Sequence, residues 1–249
     1  MILDADIGNS RLKWRLGEGS RIDSRGVVNL TDLDSLKVPA RDAHPVTRIR
    51  AACVAGTAIE QRFSAWCERS FALAPEFARV QQGLGGIRVA YESPTIFGVD
   101  RWLAMLAAYH QVKGACVVVD AGSALTADFI NGDGSHLGGL ILPGARLMRE
   151  ALLAQTHGVK PGSSPIPGAW QPGRDTVSGV ANGVAASFSG LANEILRYGE
   201  RHLGKSLAAL VCGGDAEDFA ARDTRFIIAA ELVLDGLPIA LGDQFSGNG

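Results

Sequence analysis

Two short segments of this chain set a strand-ending carboxylate ahead of a glycine turn, an arrangement suited to a nucleoside triphosphate and its Mg²⁺. The first is Asp6-Ile7-Gly8-Asn9-Ser10-Arg11-Leu12-Lys13; the second is Asp120-Ala121-Gly122-Ser123-Ala124-Leu125-Thr126. Each follows an apolar run, Ile2-Leu3 in one case and residues 115–119 in the other. Backbone N–H groups in such a turn cradle phosphate oxygens, and a glycine lets them approach without a Cβ in the way. A carboxylate at the strand end suits a hydrated Mg²⁺. After the first turn Leu12, Trp14 and Leu16 alternate with Arg11, Lys13 and Arg15, the period of a half-buried strand. The apolar set is expected in the core, and Lys13 on the opposite, wetter face, where a cation meets a polyphosphate. One copy alone reads equally well as a hairpin with a Gly-Asn turn. Two copies, 120 − 6 = 114 positions apart, favour the phosphate reading and a phosphotransferase of two similar halves.

Three further motifs stand at element boundaries. Gly98-Val99-Asp100-Arg101 opens a helix with Trp102, Leu103, Leu106 and Ala107 on its apolar face. An Asp at a helix start has an ordinary capping role, but an Arg beside it sits at the end that repels cations. Such a pair can act as general base and anion clamp. Residues 138–144, Gly-Gly-Leu-Ile-Leu-Pro-Gly, carry a strand into a helix, and their glycines allow tight strand packing or close approach of a ligand. Cys212-Gly213-Gly214-Asp215 forms a turn able to take an adenine or ribose edge, and equally a plain strand-to-helix loop.

The elements that must position these motifs follow from periodicity. Strands are expected near 1–7, 11–16, 24–30 and 49–55, a helix at 57–71, short strands at 76–81 and 86–91, and a helix at 99–112. The second half restarts with strands at 115–120, 124–130 and 136–142, the last two joined by the turn signal Asn131-Gly132-Asp133-Gly134. Helices are expected at 144–155, 174–203, 215–221 and 232–243, with strands at 207–212 and 225–229. Residues 157–173 are rich in Pro, Gly and Ser, as functional lids and interface segments often are, and the tail 246–249 reads as frayed.

Composition narrows the class. In 249 residues, 24 Lys+Arg against 26 Asp+Glu give a net charge of −2, without the basic footprint that nucleic-acid binding needs. Hydrophobic residues make up 47%, enough for sizeable cores, yet no uncharged apolar run is long enough to read as a membrane span. The N-terminus enters a strand at once with Asp4 and Asp6, which is not a leader pattern. Cys53, Cys67, Cys116 and Cys212 form no CxxC and read as reduced core residues of a cytoplasmic protein. The histidines show no zinc-site spacing.

Taken in order, the five motifs resemble those of type III pantothenate kinase, a family of the acetate/sugar kinase–chaperone–actin superfamily. The resemblance covers nearly the whole chain. Ser10 and Ser123 stand where that family usually has Thr, and Cys212 where Thr is common. The resemblance implies an α/β fold of two similar actin/ribonuclease-H-like domains, a duplicated mixed β-sheet with flanking helices, with the active site in the cleft between them. The N-terminal actin-like ATPase domain would span 1–114 and the C-terminal one 115–249, the last helix able to pack back on the first. The implied reaction is ATP-dependent phosphorylation of pantothenate to 4′-phosphopantothenate, the first step of coenzyme A biosynthesis.

The same resemblance assigns roles by position. Asp6, Ile7, Gly8, Asn9, Ser10, Arg11, Leu12 and Lys13 would form the ATP phosphate loop, with Asp6 holding Mg²⁺ through water and Ser123 also contacting ATP. Asp100 would be the general base. Tyr91, Gly98, Val99, Asp100 and Arg101 would line the pantothenate pocket, and Thr176 would reach it on the side completed by a dimer partner. Asp120 would bind K⁺ or NH₄⁺. The implied homodimer could use the helix at 174–203, whose stripe of Val177, Val180, Val184, Phe188, Leu191, Ile195 and Leu196 fits an interface or a core alike. The alternatives are another small-molecule kinase of the same superfamily, and a nucleotide-binding transcriptional regulator without turnover.

Overall fold

The computed structural model describes residues 1–19, 21–39, 45–155 and 170–242. Most of the Pro/Gly/Ser-rich segment and the whole of the 246–249 tail lie outside the described residues. The chain divides into two compact units, residues 1–110 together with those from Leu232 onward, and residues 111–231.

In the first unit the sheet runs in the order β3 (Arg21–Asn29), β2 (Arg11–Glu18), β1 (Ile2–Ile7), β4 (Arg48–Cys53), β5 (Glu76–Phe77). β1 pairs antiparallel with β2 and β2 with β3, while β4 runs parallel to β1 and β5 to β4. The expected alternation in β2 is realised: Leu12, Trp14 and Leu16 join Leu3, Ala5, Ile7, Ile49 and Ala51 in a core closed by Phe63, Trp66 and Cys67 of α1 (Thr57–Phe71). The opposite face is less wet than the pattern predicts. Asp4 and Arg50, neighbours on β1 and β4, are only 4% and 5% exposed. The helix near the C-terminal end, Leu232–Ala240, lies against β1 and β4.

The second unit repeats this plan. Its sheet runs β8 (His136–Pro143), β7 (Ala124–Ile130), β6 (Cys116–Ala121), β9 (Ala208–Cys212), β10 (Phe226–Ile228), again with two antiparallel pairings followed by two parallel ones. The mixed, duplicated α/β architecture expected from the two motif copies is therefore present. The first stretch of the first unit ends in α2 (Val99–Val112), whose last two residues pass its boundary at His110; within the second unit follow α3 (Ala145–Gln155), α4 (Thr176–Leu203) and α5 (Ala216–Ala220); α6 is Leu232–Ala240. Part of the apolar stripe of α4 packs into the core, while Val177 and Val180 at its start are only partly buried. Val184, Phe188, Ile195 and Leu196 are buried against Val117, Val119, Phe129 and Phe219, with Leu191 packed at the edge.

One expected element is absent. Residues 86–91 form no strand: a 3₁₀ turn at Leu84–Gly86 takes up their first residue, and Gly83, Gly85 and Gly86 all adopt positive φ. The Gln82 side chain takes the place of a neighbouring strand, accepting from Val89 N at 2.8 Å and donating to Val89 O at 3.0 Å. A second 3₁₀ turn, Leu30–Ser35, closes the sheet after β3 where the sequence pattern shows no element.

Candidate active site

The two phosphate-motif turns occupy equivalent places. Asp6 is the fifth of six residues in β1 and Asp120 the fifth of six in β6. Each faces a polar residue across the antiparallel pair, Lys13 for Asp6 and Thr126 for Asp120. Each turn is closed by its own glycine: Gly8 N donates to Arg11 O at 3.0 Å, and Gly122 N to Ala124 O at 3.0 Å. In the first turn Ile7 and Leu12 are wholly buried, so their contribution is limited to backbone, while Asn9, Ser10 and Arg11 are exposed. Ser10 O accepts from Leu30 N at 3.1 Å and thereby ties the turn to the end of β3.

In the second unit three glycine motifs that are weak singly come together. Gly144 N donates to Ser123 O at 2.9 Å, and a Cβ added to Gly144 would lie 2.0 Å from Gly122 O. From the other side, a Cβ on Gly213 would lie 2.3 Å from Ala121 O and 2.4 Å from Asp120 Oδ1. Asp215 N donates to Ala121 O at 2.8 Å. The turns at 138–144 and 212–215 are thus pressed against the Asp120–Ser123 turn, and only glycine permits either approach. Asp215 occupies the N-cap of α5, but its side chain makes no capping bond. The oxygen-rich donors around Asp120, a carboxylate flanked by a carbonyl, suit a cation that prefers oxygen ligands. Thr176 is exposed as the first residue of α4, directly after Asp175, which caps that helix.

The Gly98–Arg101 motif is organised around the first turn of α2. Asp100 Oδ1 accepts from Arg101 N at 2.8 Å, and Trp102 N donates to Gly98 O at 3.1 Å. A Cβ on Gly98 would stand 2.6 Å from Asp100 Oδ1, so the carboxylate folds back over Gly98 and any side chain there would push it aside. Arg101, expected at an unfavourable helix end, is buried against aromatic rings. Its guanidinium carbon lies 4.4 Å from the Phe97 ring centroid and 5.9 Å from that of Tyr91. Tyr91 thus meets Arg101, the last residue of the Gly98–Arg101 motif, and the Phe97 ring. Phe97 carries no signal in the sequence, where it reads as one more apolar residue ahead of a turn.

A model of the type III pantothenate kinase family matches residues 2–198. The chain belongs to that family. A type III pantothenate kinase from Teredinibacter turnerae is 40% identical over 248 residues, covering 95% of this chain and 97% of the relative. The enzyme of the same name from Pseudomonas putida W619 is 34% identical and that from Azotobacter vinelandii 33%, each covering 96% of this chain and 98% of its own. Among solved structures, a Baf family protein from Campylobacter jejuni superimposes with a TM-score of 0.60 at 20% identity, covering 94% of both chains. The ethanolamine utilization protein EutJ from Carboxydothermus hydrogenoformans gives 0.52 at 11% identity, over 96% of this chain and 89% of its own. Both likenesses concern the fold. The kinase family agrees with the nucleotide chemistry that the paired turns suggest. Among the described residues no three His, Cys, Asp or Glu cluster as metal ligands, and no helix is long and apolar enough to cross a membrane.

Proposed function

We propose that this chain transfers the γ-phosphoryl group of ATP to the primary hydroxyl of pantothenate, giving 4′-phosphopantothenate and ADP, with Asp100 as general base. Family membership carries the reaction. The observation that supports the role of Asp100 is its carboxylate, held at the start of α2 by the Arg101 amide and seated over Gly98. In the step, the hydroxyl proton passes to the Asp100 carboxylate, the new O–Pγ bond forms, and the bond from Pγ to the β-phosphate oxygen breaks. Such transfers are catalysed mainly by positioning and charge neutralisation. Arg101, with Tyr91, Gly98 and Val99, is read as the acceptor pocket, its fork suited to the pantothenate carboxylate. Residues Asp6 to Lys13 and Ser123 are read as ATP contacts, and Thr176 as an acceptor contact.

Bound Mg²⁺ would neutralise charge on the phosphates, with Asp6 as its outer ligand, and Asp120 with Ala121 O would hold K⁺ or NH₄⁺. Four buried cysteines without disulfides suit a cytoplasmic enzyme. A homodimer has a candidate surface in β8, an edge strand whose Leu140 and Ile141 are 40% and 63% exposed, beside the half-exposed Leu147 of α3. The test is ADP release with ATP, Mg²⁺ and pantothenate, run in K⁺ and in Na⁺ alone. Pantothenate-dependent turnover that requires K⁺ supports both assignments. Turnover indifferent to the cation removes the Asp120 role, and ATP binding without turnover moves the acceptor to another hydroxyl compound.

A further inference from the structure

Arg101 is 7% exposed in the first turn of α2, where the helix dipole disfavours a cation. An aromatic pair offsets that. The guanidinium carbon stands 4.4 Å from the Phe97 ring centroid, Nη1 donates to Tyr91 Oη at 3.3 Å, and the Tyr91 and Phe97 rings meet edge to face at 4.9 Å. Phe97 is itself 4% exposed, so its ring has little room to yield. A cation close to an aromatic ring is held by the ring quadrupole, and the guanidinium plane follows the ring.

We infer that Phe97 is a positioning residue for acceptor binding: it sets the guanidinium fork of Arg101 and the ring of Tyr91 in the arrangement that receives the acceptor's carboxylate. It acts through these two side chains and without touching the substrate. An aliphatic residue of similar bulk would fill the same space but present no π-face, which separates stacking from packing. The inference rests on the pantothenate kinase reading. Wild-type turnover of pantothenate tests that reading by itself, before Phe97 comes into question.

With the wild-type enzyme active, Phe97→Leu is expected to raise KM for pantothenate about 2- to 30-fold, the range a stacked cation supplies. KM for ATP should stay within about twofold of wild type, since neither side chain that Phe97 meets is read as an ATP contact. Phe97→Tyr, which keeps the ring, should restore pantothenate binding. The same Phe97→Leu change is then made in an Arg101→Met background, where it should raise KM for pantothenate by a clearly smaller factor than in the wild-type background, because of the two side chains it positions only Tyr91 remains. Equal effects in both backgrounds, an equal rise in KM for ATP, or a Phe97→Tyr enzyme no better than Phe97→Leu overturns the inference. If Phe97→Leu fails to fold, Phe97→Met, flexible enough to fill the same space, passes through the same cycle with the same outcomes.

Discussion

Gly213 is pressed against Asp120 so closely that a Cβ built on it would stand 2.4 Å from Asp120 Oδ1, and its φ of +99° lies in the region that L side chains avoid. A turn whose sequence reads equally as a nucleoside-edge contact and as a plain strand-to-helix loop is therefore shaped around the carboxylate proposed to hold a monovalent cation. Gly213→Ala meets both a backbone clash and a strained φ, which costs about 1–3 kcal/mol. The variant is expected to weaken K⁺ activation by about 5- to 100-fold, read from K⁺ titrations of turnover at fixed ATP. A variant that loses stability but keeps its K⁺ response would move the cation away from Asp120.

Asp100 and Gly98 make a second prediction. Asp100→Asn preserves the side-chain oxygen that accepts from Arg101 N but removes the basic group. The fold and KM for pantothenate should hold while kcat falls about 10²–10⁴-fold. Gly98→Ala leaves the carboxylate chemically intact but displaces it, since the new Cβ would lie 2.6 Å from Oδ1. Its kcat should fall as well, by about tenfold if the carboxylate shifts without leaving reach of the hydroxyl. A kcat for Asp100→Asn within tenfold of wild type removes it as the base.

Much of this was legible in the sequence because it depends on local pattern. The alternation of Leu12, Trp14 and Leu16 is enough to place β2 and its inward face. The spacing of the two Asp-x-Gly turns is enough to suggest duplication, which the matching strand orders bear out. What escaped was non-local. Nothing in the local run at 86–91 tells that Gln82 will satisfy Val89, so an apolar stretch read as a strand. The Gly144 and Gly213 approaches bring together turns far apart in the chain, and single motifs carry no distance. Phe97 went unnoticed because a ring that stacks on an arginine and a ring that fills a core look the same in sequence. The stripe of α4 left core and interface open, and only packing against Phe129 and Phe219 assigns Val184, Phe188, Ile195 and Leu196 to the core.

Pro238 and Arg15 supply a third prediction, about stability. Pro238 sits inside α6 and has no N–H to give Leu234 O, its partner four residues back. Arg15 Nη2 donates to that carbonyl at 2.8 Å instead, Nη1 of the same guanidinium pairs with Asp235, and Nε reaches Asp4 at 2.9 Å. Asp4 is also held by Arg50 at 2.6 Å and 3.0 Å. Arg15→Met unpairs the carbonyl and removes one of two partners of a buried carboxylate, and should cost about 2–3 kcal/mol. Arg50→Met takes away the two-pronged contact to Asp4 and should cost more, about 3–5 kcal/mol. Denaturant titration ranks them. Equal or reversed costs would show that the Leu234 carbonyl matters more than the buried charge.

The last prediction concerns pH and α4. Asp175 Oδ1 accepts from Ser178 N at 2.8 Å, and the Ser178 hydroxyl in turn accepts from Asp175 N at 3.2 Å, a capping box at the start of a 28-residue helix. The Ser178 amide, then its hydroxyl and the Val177 amide, hold the Asp175 carboxyl below its ordinary range. A depressed folded-state pKa gives stability that is fully present above the unfolded value, about 3.9 for Asp. That stability is lost as the pH falls through the lower, folded value. Asp175→Ala should therefore lower Tm at pH 7 by about 2–4 °C. The gap between the two proteins should narrow below about pH 4 as the wild-type carboxyl takes up its proton. Asp175→Asn, which caps without a charge, should retain most of the Tm at pH 7 and lose little on acidification. A gap between wild type and Asp175→Ala that stays constant from pH 7 to pH 3 would mean that the cap contributes through shape and not through the ionised carboxylate.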